Sequence, residues 1–138
     1  MAKSKKSRKK SKPRSKPSPK PITRIERDFS KETKSTISLS IIVKNESKVI
    51  ERMLNTVWPI LDYYVVVDTG STDGTQDIVR KFFEEKGIPG EVVEHPWVNF
   101  EDARTKALNE VKGKADFGFW IDADEQLIID PNFNVDNF

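Results

Sequence analysis

The stretch YYVVVDTGSTDGT, residues 63–75, decides the fold of this chain. Its first five residues are aromatic or apolar and Asp68 follows them, a pattern typical of a buried parallel strand that ends in a carboxylate. Residues 70–75 are small, hydroxylated or acidic, which predicts a tight turn into a helix. A strand joined to a helix through so short a loop is the repeating unit of an α/β protein.

Strand and helix patterns continue to alternate on both sides of this stretch. The predicted elements, in chain order, are a strand at 37–43, a helix from 49 that Pro59 helps to end, a strand at 63–68, a helix capped by Gly87, a short strand at 91–94, a helix from Asn99 to Gly113 and a strand at 117–121. This βαβαβαβ order with short connections predicts an α/β fold, in which helices flank a mainly parallel sheet.

The pattern also predicts where individual side chains lie. One apolar face of the third helix is expected to carry Phe100, Ala103, Ala107, Leu108 and Val111. Trp58 and Trp120 are most simply interpreted as core residues. We interpret His95 and Trp97 as packing within a loop or lid.

Composition narrows the possible chemistry. The 138 residues suffice for about one domain. Cysteine is absent and His95 is the single histidine, which excludes disulfides, thiolate metal sites, thiol nucleophiles and multi-histidine sites. Any metal must therefore bind carboxylates. Because no apolar run approaches the ~18 residues of a membrane span and no secretory signal pattern is present, we expect a soluble cytoplasmic protein without a transmembrane segment.

Charge divides the chain into two parts. Residues 1–36 carry 14 basic and 3 acidic side chains, whereas residues 37–138 carry 10 basic and 19 acidic ones. We therefore expect a disordered Lys/Arg/Ser/Pro-rich tail and linker at 1–36 and a folded domain at 37–138. Residues 3–20 could contact a polyanion, act as an import signal, or serve only as a solubilising leader.

Polar side chains gather where three predicted strands end. In open parallel sheets the ligand crevice lies outside the carboxyl ends of the strands, so these distant segments are expected to form one site. The segments are Lys44 to Glu46, Asp68 to Thr75, and Asp122 to Glu125.

The carboxylates of this edge have alternative interpretations. Asp122 and Asp124 would point the same way if the strand stays extended, and could hold one Mg²⁺ or Mn²⁺ together with a diphosphate. Equally, they could be solvated acids at a strand end. Asp68 would accept hydrogen bonds from a base or ribose, or would only cap the loop that follows it.

The turn at 70–75 could bind an anionic group at the start of a helix, or could be a tight turn in which Asp73 or Thr75 is the N-cap. The glycine patterns of nucleoside-triphosphatase phosphate loops and of Rossmann folds are both missing. Arg104 could donate to a diphosphate, or could pair with an acidic neighbour on its own helix.

Four segments together resemble, in order and spacing, the motifs of the family 2 glycosyltransferases, which have the nucleotide-sugar-binding GT-A fold. They are SLSIIVKNE at 38–46, VVVDTGSTDGT at 65–75, FEDARTKAL at 100–108 and WIDADE at 120–125. The resemblance covers about residues 37–128. It implies the nucleotide-binding half of an enzyme that transfers sugar from a nucleotide-diphospho-sugar donor to an unknown hydroxyl acceptor.

The resemblance also implies residue roles. Asp68 would contact the base or ribose, and Asp73 would shape the nucleotide pocket. Asp122 and Asp124 would form the family's Asp-x-Asp motif, with Asp124 the more direct ligand of Mg²⁺ or Mn²⁺, and Arg104 would lie near the pyrophosphate. The full set of implied substrate-binding residues is Lys44, Asn45, Glu46, Asp68, Asp73, Arg104 and Asp122.

Two features depart from the family pattern. Thr105 follows Arg104 where family members usually have Asn. The acceptor-binding half and the catalytic base of the family lie well downstream of Asp-x-Asp, where only residues 126–138 remain, so the catalytic residue is unassigned. We therefore expect a partial enzyme whose sheet a partner chain or self-association could complete. The alternative is a non-catalytic remnant that acts as a polyanion-binding or interaction protein through its basic tail.

Overall fold

The computed structural model describes residues 34–134, so the predicted tail lies almost entirely outside the described residues. Its strands are β1 (Ile37–Val43), β2 (Tyr63–Asp68), β3 (Gly90–Glu94) and β4 (Phe117–Phe119). Its helices are α1 (Ile50–Val57), α2 (Thr75–Lys86) and α3 (Phe100–Val111), with a short 3₁₀ turn at Trp58–Ile60 after α1. The predicted βαβαβαβ order is confirmed.

The four strands form one parallel sheet in the order β3-β2-β1-β4. The chain moves outward from β1 to β3 and then returns through α3 to place β4 on the other side of β1. The connections on either side of β1 therefore diverge, and in α/β sheets the ligand crevice opens at such a point. Here it lies between the loops that follow β1 and β4.

The sheet buries its larger core against α1 and α2. Alternate residues of β1 and β2 face this side, as the twofold side-chain period of a strand requires. The buried set includes Leu39, Ile41, Val43, Val66, Met53, Leu54 and Phe83. Gly90 permits close strand packing, because a Cβ there would lie 2.2 Å from the Tyr64 carbonyl oxygen.

The face covered by α3 is thinner. Val65 and Val67 pack there against Ala107 and Val111, in a small separate cluster. Ala103, Ala107 and Val111 are buried, as predicted for the apolar face of α3. The prediction is wrong for Phe100, which is 68% exposed, and for Leu108, which is 60% exposed. Phe100 lies in the first turn. Leu108 lines a groove beside Gly118 because the short strand β4 offers no large side chain there.

Several predicted element ends need correction. β4 ends at Phe119 and not at Ile121, and Trp120 is 48% exposed, so it is not a core residue. Trp58 is half-buried against the core. The N-cap of α2 is neither Asp73 nor Thr75 but a glycine, Gly74, whose φ is +87°.

The other predicted caps are confirmed. Gly87 ends α2 with φ at +66°, and the Asn99 side chain accepts a hydrogen bond from the Asp102 amide at the start of α3. Within residues 34–134, none of the helices has both the length and the apolar character needed to cross a membrane.

Candidate functional site

Asp68 ends the central strand β2 and is 1% exposed. One carboxylate oxygen, Oδ1, accepts hydrogen bonds from the backbone amides of Gly70 at 2.9 Å and Ser71 at 2.8 Å. Burial raises the pKa of Asp68, but the hydrogen bonds from Ser71 and Gly70 outweigh it and hold the pKa below its usual range. The second oxygen, Oδ2, is buried without a hydrogen-bond partner among the described residues. Among the described residues, this buried carboxylate thus retains one oxygen without a hydrogen bond.

The loops after β1 and β2, residues 44–47 and 69–75, are linked by hydrogen bonds, and we call them the linked loops. The Asn45 side-chain oxygen accepts a hydrogen bond from the Thr72 backbone amide at 2.8 Å, and the Asn45 backbone amide donates one to the Ser71 hydroxyl at 2.8 Å. The backbone of Asn45 has a φ of +54°. The buried Thr75 hydroxyl accepts from the Glu46 amide at 2.9 Å. The structure thus joins two predicted site segments into one surface.

Asp73 contributes to the same linkage. Its carboxylate accepts from the Thr75 hydroxyl at 2.5 Å and the Ser47 amide at 3.1 Å. The hydrogen bond from Thr75, with those from Ser47, holds the pKa of Asp73 far below its usual range. Asp73 therefore helps to hold the two linked loops together.

Negative charges converge at this edge. Burial raises the pKa of the half-exposed Glu46, and the carboxylates of Asp124, Asp73 and Asp122 raise it further. β1 lies between β2 and β4 in the parallel sheet, so the loops that follow these three strands leave it at the same edge. We call residues 44–47, 68–75 and 122–125 the rim.

Asp122 and Asp124 form the open part of the rim. Both are exposed, and they alternate with Ile121 and Ala123, which are buried. The Asp124 carbonyl accepts a hydrogen bond from the Arg52 side chain at 3.2 Å. Within residues 34–134, neither carboxylate accepts a hydrogen bond or forms an ion pair.

The donor set at the rim suits a hard cation only in part. In the described portion of the chain, no three His, Asp or Glu side chains lie close enough to enclose a metal ion. Asp122 and Asp124 offer two uncommitted carboxylates, which matches the Mg²⁺ sites in which phosphates and waters complete the coordination. The residues therefore fit a cation that arrives with a diphosphate ligand.

Arg104 lies on α3 and is not part of the rim. Neither acidic neighbour on its helix pairs with it; instead its guanidinium carbon lies 3.8 Å from the centre of the Trp120 ring. Lys44 is exposed at the start of the first linked loop. The structure places both basic groups at or beside the carboxyl edge of the sheet.

One contact at the site was missed by sequence reasoning. His95 Nε2 lies 2.5 Å from Asp102 Oδ2, which ties the loop after β3 to the first turn of α3. Trp97 is 44% exposed and packs edge to face on Phe100, with ring centres 4.8 Å apart. His95 lies in a loop before α3, so the period of the helix does not relate it to Asp102 and no sequence pattern predicted the pair.

Two grooves are lined by residues outside the rim. A groove of about 360 Å³ runs along β4 and the segment that follows the rim, with apolar lining from Phe117, Phe119, Leu127, Ile128 and Phe133. A smaller groove of about 80 Å³ lies between α3 and the sheet, beneath Arg104 and Trp120.

Comparison with known proteins identifies the family. The family model described as glycosyl transferase family 2 matches residues 38–130. An uncharacterised glycosyltransferase of Rickettsia bellii is 40% identical over 91 residues, which cover 66% of this chain and 28% of that protein. The SPbeta prophage-derived glycosyltransferase SunS of Bacillus subtilis is 36% identical over 97 residues, which cover 70% of this chain and 22% of SunS.

Solved structures share the fold. Residues 1–349 of S. aureus TarS superpose with a TM-score of 0.55 and 28% identity, over 66% of this chain and 28% of that one. The same protein in complex with UDP gives a TM-score of 0.52 and 29% identity, over 64% of this chain and 27% of that one. The present chain thus spans about a quarter of the length of these relatives.

Proposed function

The chain belongs to glycosyl transferase family 2, and from that membership and the geometry of the rim we propose that it binds a nucleotide-diphospho-sugar with a divalent cation and contributes to transfer of the sugar to a hydroxyl acceptor. The observation that carries the proposal is the buried Oδ2 of Asp68, a charged acceptor without a partner among the described residues. Such an atom is costly to bury unless a ligand satisfies it.

The nucleoside half of the donor would lie against Asp68 and the linked loops. Asp68 Oδ2 would accept a hydrogen bond from a base N–H or a ribose hydroxyl, and its lowered pKa keeps it charged at neutral pH. Asn45 and Glu46 are held beside it by hydrogen bonds to the loop after β2. The complex of S. aureus TarS with UDP supports a uridine nucleotide as the first candidate.

The diphosphate would lie between Lys44, Arg104 and the open carboxylates. Asp122 and Asp124 would hold Mg²⁺ or Mn²⁺, which when bound to the diphosphate neutralises charge on the leaving group. Arg104 supplies a planar fork of N–H donors for phosphate oxygens. The acidic residues that raise the pKa of Glu46 support cation binding, because a cation would relieve their mutual repulsion.

The acceptor and the residue that deprotonates it remain outside this assignment. We propose that a partner chain or a second copy lies along β4. Among the described residues, β4 is an edge strand of the sheet. The adjoining apolar groove supports the same proposal.

Calorimetric titration of UDP, GDP and their sugars, with and without Mn²⁺, tests the donor site. We expect at least one diphosphate to bind more tightly with Mn²⁺, and Asp124→Ala to remove this gain. Asp77→Ala is the matched control, since this exposed carboxylate lies on α2 beside Arg80. Equal affinity with and without metal would reject a cation-diphosphate site.

A further inference from the structure

We propose that Trp120 is a positioning residue, whose indole ring holds the Arg104 guanidinium flat so that its N–H edge can receive the donor diphosphate. The proposal rests on the proposed function and adds to it a residue outside the rim. Trp120 follows the last residue of β4 and precedes Asp122 by two positions. It therefore lies next to the diphosphate end of the proposed donor site.

The contact has the geometry of a cation–π pair. The guanidinium carbon of Arg104 lies 3.8 Å from the centre of the Trp120 ring, well within the ~6 Å over which such pairs attract. Trp120 is 48% exposed and Arg104 is also exposed, so solvent and ligands can reach the pair.

Arg104 has no other partner among residues 34–134. Two of the charged side chains near it on α3 have partners of their own. Asp102 pairs with His95, and Lys106 pairs with Glu110. A guanidinium covered on one face by an indole retains all five N–H donors around its edge, and these are the donors that bind phosphate oxygens.

The ring, and not the surface beneath it, determines where the guanidinium lies. The small groove under the pair is lined by Ser40, Ile42, Ala107, Leu108 and Gly118, which are apolar or small. This surface offers no acidic group that would pair with the guanidinium. Without the indole, Arg104 would sample many rotamers, and binding an anion would then require ordering a long side chain.

Calorimetry with pyrophosphate, UDP and uridine tests this role. Trp120→Leu is expected to weaken pyrophosphate and UDP about three- to fivefold, the effect of losing a cation–π contact and its ordering of the arginine. Uridine, which lacks phosphate, should bind unchanged. Trp120→Phe retains an aromatic face and should remain within about twofold of the wild type.

Trp97→Leu is the matched control, because Trp97 is similarly exposed but packs on Phe100 and not on an arginine. It should leave all three affinities unchanged. Thermal unfolding of each variant verifies folding, and Trp120→Met replaces Trp120→Leu if the latter is unfolded.

A double-mutant cycle shows whether Trp120 acts through Arg104. Arg104→Ala alone is expected to weaken pyrophosphate about tenfold or more. In that background, Trp120→Leu should have no further effect. A further loss there, or an equal loss for uridine, would overturn the proposal, because the ring would then contact the ligand or support the fold.

The outcomes separate the two proposals. If the wild type binds UDP with a gain from Mn²⁺ that needs Asp124, but Trp120→Leu binds like the wild type, the role of Trp120 alone is wrong. If the wild type binds neither pyrophosphate nor UDP, the proposed donor site is wrong, and the proposed role of Trp120, which depends on that site, is wrong too.

Discussion

The two sides of the rim are built differently. The linked loops after β1 and β2 are held by buried hydroxyl, amide and carboxylate groups, and Asp68 and Thr75 satisfy backbone amides there. The segment after β4 presents Asp122 and Asp124 to solvent, with no hydrogen bond to either carboxylate among the described residues. Folding thus orders the first side and leaves Asp68 Oδ2 there without a partner, whereas both carboxylates of the second side are exposed and make no hydrogen bond among the described residues.

This difference predicts that some residues of the rim stabilise the fold and that others affect only ligand binding. Replacing Asp68 or Thr75, whose side chains hold the linked loops, should lower both stability and nucleotide affinity. Substitutions at the exposed carboxylates should change only the binding of cation and diphosphate. Variants at Asp68, Thr75, the two exposed aspartates and Glu46 test this separation, in decreasing order of expected effect.

Asp68→Ala should lower the free energy of unfolding by about 3 kcal/mol, because the amides of Gly70 and Ser71 would lose their acceptor. Urea denaturation measures the change. Asp68→Asn is the control that keeps an oxygen acceptor and removes the charge. A loss below about 0.5 kcal/mol for Asp68→Ala would show that the loop does not depend on this carboxylate.

The pH dependence of the Asp68→Asn variant has a defined sign. Folding lowers the pKa of Asp68 from its ordinary value of 3.8, so the charged form stabilises the fold above that value. This contribution is lost as the pH falls through the pKa of the folded state. The stability difference between wild type and Asp68→Asn should therefore shrink below about pH 4.

Thr75→Val should cost about 1.5 kcal/mol of unfolding free energy, because the Glu46 amide and the Asp73 carboxylate both lose the buried hydroxyl. Thr105→Val, at an exposed position on α3, is the control for the change in side chain. Chemical denaturation of both variants gives the comparison. Equal stability of the two would contradict the linkage of the loops.

Asp122→Asn combined with Asp124→Asn should leave the unfolding free energy within about 0.5 kcal/mol of the wild type, since neither carboxylate supports a contact. The same double variant should lose the gain in nucleotide affinity that Mn²⁺ provides. Denaturation and calorimetry on one preparation measure both. A loss of stability comparable to that of Asp68→Ala would remove the distinction between the two sides.

Glu46 gives the smallest and most local effect. Because Asp124 raises the pKa of Glu46, Asp124→Asn should lower that pKa toward its ordinary value, as an NMR titration of the Glu46 carboxyl would show. Because folding raises the pKa of Glu46, its charged form destabilises the fold, and this destabilisation appears as the pH rises through the pKa. Glu46→Gln should thus stabilise the protein by about 0.3 kcal/mol at neutral pH and not at pH 3. If the pKa of Glu46 is unchanged in Asp124→Asn, the two carboxylates do not interact, and the loops after β1 and β4 do not lie close together.

Much of the fold could be predicted from local patterns. The runs at β1 and β2, the cap at Asn99 and the left-handed Gly87 all follow from residues close together in the chain. Errors arose where packing overrides periodicity. Leu108 and Trp120 have apolar side chains at suitable spacing, but short β4 provides no surface large enough to bury them.

The candidate site was predictable as a set of strand ends but not as contacts. The roles of Lys44, Asn45, Glu46, Asp68, Asp73, Arg104, Asp122 and Asp124 in binding stay predictions. Their positions are now defined, and the linkage of Asn45 with Thr72 and the stack of Arg104 on Trp120 had no signature in the sequence.

The sequence alone determined the α/β elements and the presence of acids at the strand ends, because side-chain period, caps and turn residues act over a few neighbours. Only the tertiary structure decided that β4 lies beside β1 and that the α3 face is thin. Those features depend on which surfaces pack together across the whole chain, and short-range patterns do not encode that choice. The strand order places Asp122 and Asp124 beside the linked loops, and it places Arg104 against the ring of Trp120.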